Sequence, residues 1–109
     1  MCSISSFGQT PEEIKKEADK LFDDGAYLLA YEQYNKVSGK YGREHDWNFK
    51  YGACALYAEN DKSNAITRLS YAVQNPSIDK RAYFFMGRAY HLNYQFKEAE
   101  KYYNKFKDQ

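Results

Sequence analysis

His45, Asp46, Cys54 and His91 are the side chains in this sequence that could furnish a nucleophile or a metal set. Acyl or phosphoryl chemistry needs a nucleophile, a base within reach and donors for the developing charge. His45 and His91 are solitary, and no HExxH, paired CxxC or glycine-rich phosphate loop is present. Cys2 and Cys54 cannot build a zinc site or a disulfide framework on their own, and Cys54 reads as a small helix-packing residue. The inventory points to no enzyme, no metal and no cofactor.

Recognition chemistry is better supplied. The chain of 109 residues carries 12 Tyr, 7 Phe and 1 Trp, and 16 basic against 15 acidic residues. Rings offer contact area, and Lys or Arg can catch carboxylates. The formal charge of +1 shows no excess that would advertise nucleic acid. It is unevenly spread: residues 1–62 are net −3 and residues 63–109 net +4. Lys97, Lys101, Lys105 and Lys107, at near-helical spacing, read as the solvated face of a last helix rather than an RNA footprint. No run of 18 apolar residues exists, so no spanning helix is expected.

The elements that must position these side chains repeat along the chain. Tyr83, Met86, Gly87, Tyr90, Ala99, Tyr103 and Phe106 share a pattern with Phe49, Gly52, Ala53, Leu56, Ala65, Leu69 and Ala72, 34 residues earlier. A further 35 residues back lie Ile14, Glu17, Ala18, Leu21, Ala30, Tyr34 and Val37, where only Glu17 departs from apolar or small. Spacings of three and four place each set on one helical face. The small members set how closely paired helices approach. Six helices are predicted, at 11–23, 27–38, 45–58, 62–74, 78–92 and 96–107. Thr10-Pro11-Glu12-Glu13 carries a capping-box start, and Asp23-Asp24-Gly25, Glu59-Asn60-Asp61 and Asn93-Tyr94-Gln95 supply turns. Ser77 reads as the N-cap of the fifth helix.

These residues resemble the tetratricopeptide repeat, most closely at Tyr83, Met86-Gly87, Tyr90, Ala99, Tyr103 and Phe106. The resemblance covers about residues 11–107 and implies an all-α domain over 11–109. Its three antiparallel hairpins, at about 11–42, 45–76 and 78–107, would stack as a right-handed superhelix. It further implies that the first helix of each hairpin lines a concave groove for a protein or peptide partner. Mapped onto this sequence, the groove residues are Lys15, Asp19 and Phe22, then Trp47, Lys50, Cys54 and Tyr57, then Arg81, Phe84, Arg88 and His91. The family's carboxylate clamp is not expected, because Asp19, Tyr51 and Phe85 stand in three of its slots and an acid at Asp19 would repel the ligand.

A narrower resemblance links NPSIDKRAYFFMGRAYHLNYQFKEAEKYY to the repeats of bacterial envelope proteins that also carry a β-propeller and an OmpA-like peptidoglycan-binding domain. It implies the periplasm or cell envelope, with the cytoplasm as the alternative. Residues Cys2–Gln9 are similar to the end of an export signal, so residues 1–10 are expected to be a residual signal-like tail or, alternatively, a disordered one. The resemblance also implies that a last repeat needs a polar cap. Tyr102, Tyr103 and Phe106 are therefore expected to face a second copy or a neighbouring domain.

Overall fold

The computed structural model describes residues 8–109, and most of the signal-like Cys2–Gln9 stretch falls on residues 1–7, which lie outside the described residues. Among the described residues the chain forms seven helices and no strand. They are α1 (Pro11–Asp23), α2 (Tyr27–Lys36), α3 (Ser38–Tyr41), α4 (His45–Ala58), α5 (Ser63–Ala72), α6 (Arg81–Leu92) and α7 (Phe96–Asp108).

Local chemistry accounts for most of these boundaries. Thr10 Oγ1 accepts from the Glu13 N–H at 3.1 Å, and Glu13 Oε1 accepts from the Thr10 N–H at 2.9 Å, closing the expected capping box. At the other end of α1 the chain turns through Gly25, whose φ of +80° is open to glycine at little cost. The equivalent turn between α6 and α7 uses Tyr94 at φ +62°, which a bulky side chain rarely adopts.

The end of α2, both ends of α5, the start of α6 and the end of α7 differ from expectation by one to three residues, and two of these shifts have a clear local cause. The second helix stops at Lys36, where Val37 leaves helical geometry, and a separate turn, α3, follows so that Val37 and Tyr41 can both be buried. Ser77 does not cap α6. Asn75 Oδ1 instead accepts from the Ser77 N–H, and Asp79 Oδ1 accepts from the Arg81 N–H at 2.9 Å, so an aspartate closes the entry to the helix.

Packing is strongest within the pairs α1–α2, α4–α5 and α6–α7, each joined by a short turn that makes its helices run antiparallel. α2 then seats on α4, and α5 on α6, so the pairs lie side by side in an elongated body of 50 × 29 × 23 Å. Ala18, Ala30, Ala53, Ala65 and Ala99 are all buried at these contacts. At Gly87 a Cβ would stand 2.5 Å from the Tyr103 ring, so α7 approaches α6 more closely than any side chain there would allow. With few branched aliphatics available, rings fill the centre. Phe22 meets Tyr27 and Phe49 edge-on with centroids 5.5 Å apart, and Phe85 closes the cluster.

Candidate functional site

The side chains expected on the groove divide into three groups. Phe22, Trp47 and Cys54 are not on an open surface. Each is at most 2% exposed, which corrects their assignment to a partner-binding wall. Phe22 is the middle of the aromatic cluster. Trp47 turns toward α2, donates from Nε1 to the Tyr34 carbonyl at 3.2 Å, and stacks on Tyr51. Asp46 and Lys50, one turn apart on α4, face α1 instead, because at about 100° per residue they lie about 100° and 60° round the helix from Trp47. Burial pushes the Cys54 thiol up to about 12, so the thiolate that any nucleophilic role requires is disfavoured.

The second group is charged and already satisfied. Lys15 Nζ lies 3.0 Å from Asp19 and 3.4 Å from Asp46, while Lys50 Nζ lies 3.3 Å from Asp19 and 3.4 Å from Asp46. These four alternate in sign around a closed ring between α1 and α4, and Tyr34 donates its hydroxyl to Asp19 at 2.6 Å. Burial works against the Asp19 charge, but the Tyr34 hydroxyl and the two lysines outweigh it and hold the carboxyl below the usual aspartate range. Burial likewise opposes the Lys15 charge, and Asp19 with Asp46 overcomes it to hold the ammonium above the usual lysine value. Arg81 is bound to Asp79 through Nε and Nη2, the latter at 2.8 Å, and spreads over the faces of Phe22 and Phe49. Each of these cations is already paired with at least one carboxylate.

The third group is uncommitted. Arg88 has no carboxylate within ion-pair distance among the described residues, and its Nε is buried without a hydrogen-bond acceptor. Its guanidinium lies over Tyr57, 5.9 Å from the ring centroid, and Tyr57 is 41% exposed. Arg88, His91, Leu92 and Tyr103 line a cavity of about 230 Å³. From there the surface continues as an apolar patch, in which His91 meets Phe96 edge-on at 5.5 Å and Phe96 meets Tyr94 at 6.3 Å. Leu92 and Phe96 are well exposed, and Tyr94 is 82% exposed. Phe84 is half-buried against Phe85, Tyr103 and Phe106.

Sequence reasoning did not pick out Tyr94 and Phe96 as surface contributors. The signal was a bulky ring in a three-residue turn, where its repeat counterpart is Gly25. Tyr102, Tyr103 and Phe106, expected on an outward face of α7, are half-buried against α6. Tyr102 stacks on Tyr90 at 5.6 Å, Tyr103 covers Gly87, and Phe106 packs on Phe84. Among the described residues no cluster of His, Cys, Asp and Glu could hold a metal ion, and no helix is long and apolar enough to cross a membrane.

Comparison with protein-family models, with curated proteins and with solved structures found no match.

Proposed function

We propose that this chain is a stack of three hairpins of the tetratricopeptide type and serves as a non-catalytic protein-interaction scaffold. The partner segment would be held at the α4–α6–α7 end. The hairpin reading is supported by burial of the small residue at equivalent places in all three repeats: Ala18, Ala53 and Gly87 on the first helices, and Ala30, Ala65 and Ala99 on the second.

The observation that carries the binding reading is Arg88. A half-buried guanidinium without an acid partner, beside a cavity and a contiguous apolar surface, is matched by a peptide bearing a carboxylate next to an aromatic or aliphatic side chain. The carboxylate would meet Arg88, and the apolar neighbour would cover Tyr57, Leu92 and Phe96. Because the hairpins are preformed, the partner would not incur the cost of ordering its receptor.

A peptide array varied in acidity and hydrophobicity tests the idea on the whole chain. Acidic–apolar peptides should be enriched, and Arg88→Gln should weaken them by about tenfold or more, the scale of one lost charge-assisted contact. Lys15→Gln should leave their affinity unchanged. Enrichment that survives Arg88→Gln, or that follows Lys15, defeats the assignment. The alternative, assembly through Tyr102, Tyr103 and Phe106, is less favoured because those rings already face α6.

A further inference from the structure

A second cavity of about 270 Å³ opens where the α3–α4 turn meets α5, lined by Gly42, Arg43, Asn48, Thr67, Arg68 and Tyr71. It shares no lining residue with the Arg88 cavity. Its walls are built before any ligand arrives. Asn48 is 1% exposed, the one fully buried polar side chain among the described residues. Its amide nitrogen donates to the carbonyls of Gly42 at 3.0 Å and Glu44 at 2.8 Å, which leaves Oδ1 turned to the Arg68 guanidinium at 3.4 Å. Tyr71 reaches across from α5 and donates its hydroxyl to the Arg43 carbonyl at 2.7 Å. The His45 ring lies flat on Tyr71 at 4.5 Å, with the two planes 4° apart. The turn bearing Arg43 is thus clamped to the helix bearing Arg68.

Arg68 is the unusual member. Its guanidinium is held over the faces of Trp47 and Tyr51, 5.7 Å from each centroid, so its position is fixed by core aromatics. Its Nε is buried with no acceptor. Neither Arg68 nor Arg43 has a carboxylate within ion-pair distance among the described residues. The other half-buried cations of the α1–α4 side, Lys15 and Lys50, each touch two acids. A cation stacked on two rings, whose one side-chain hydrogen bond is a long contact to a neutral amide, keeps donors to spare for an anion.

We propose that this cavity is an oxyanion site, in which Arg68 and Arg43 bind the two sides of a carboxylate or phosphate group and the Thr67 hydroxyl donates a further hydrogen bond. Because Arg68 Nε is closed off, the ligand meets the guanidinium through its terminal Nη atoms. A carboxylate or phosphate presents separate oxygens to the two guanidinium groups and the Thr67 hydroxyl, which favours it over chloride, a single acceptor atom.

Titration of the isotope-labelled full chain with sodium phosphate, sodium acetate and sodium chloride at equal ionic strength, followed by amide NMR, tests the site. Expected are saturable shifts at Gly42, Arg43, Thr67 and Tyr71 with phosphate, with acetate, or with both. Saturation by phosphate alone assigns a phosphate site, and saturation by acetate a carboxylate site. Arg43→Gln, at an exposed position, should raise the dissociation constant about threefold or more, on the scale of one weak charged contact. Arg68→Gln should abolish saturation while the amide spectrum of α7 is retained. Equal shifts with chloride, shifts that never saturate, or saturation untouched by both variants would overturn the assignment.

Discussion

Asp19, Cys54 and Arg88 occupy the same place in the three repeats and meet three different fates. Asp19 closes the charged ring with Lys15, Lys50 and Tyr34. Cys54 is wholly buried. Arg88 alone stands beside a cavity with a buried nitrogen unanswered. The α1–α4 side and the α6–α7 side therefore differ in a way that net charge does not reveal. On the first side, Lys15, Lys50, Phe22 and Trp47 are used up in holding helices together. On the second, a cation and several rings are left over.

The largest expected effect that would break this contrast lies at Phe22. If it belongs to the core, Phe22→Ala should destabilise the chain by about 3–5 kcal/mol, the usual range for a buried aromatic truncation. Urea denaturation gives the number. A loss below about 1 kcal/mol, typical of surface substitutions, would return Phe22 to an open wall and erase the difference between the two sides.

Much of the fold was legible because its signals are local. Thr10, Pro11 and Glu13 announce the start of α1, and alanines recurring at matched places mark the tight contacts. The site was read less well for a geometric reason. Equivalence between repeats places Phe22, Tyr57 and His91 on one face, yet Phe22 is buried by Phe49 and Phe85, which arrive from helices 25 or more residues away. Pairing is equally invisible in one dimension. Lys15 and Lys50 look as available as Arg88 until Asp46 is seen to reach across to α1. The arginine cavity at Arg68 depends on Asn48 and Tyr71 converging from two helices, and no short motif encodes that.

The charged ring sharpens the contrast through pH. Asp19 is held below the ordinary aspartate value, so its stabilising contribution is present above the unfolded value of about 3.9 and fades as pH falls through its lower folded value. Lys15 is raised, so its contribution is complete below the unfolded value of about 10.4 and is lost only as pH rises through a higher folded value. Asp19→Asn should cost about 1–2 kcal/mol at neutral pH, since the ring is only partly shielded from water. The variant should also lose less stability than the parent between about pH 5 and pH 2. Denaturation midpoints that fall in parallel over that interval would show that the ring contributes nothing.

The smallest effect is expected at Tyr94, and it separates binding from stability. A tyrosine at φ +62° carries strain that glycine, as at Gly25, does not. Tyr94→Gly removes that strain but increases the freedom of the unfolded chain, so the net change should be a gain of up to about 1 kcal/mol. The residue is 82% exposed, with Phe96 as its aromatic neighbour, so little packing is lost. A strained residue whose side chain does almost nothing for the folded state is better explained by what it presents to a partner. Tyr94→Gly should accordingly melt at an equal or higher temperature while binding acidic–apolar peptides more weakly than the parent. A variant that is less stable, or that binds unchanged, would detach Tyr94 from the Arg88 surface and confine the site to the cavity.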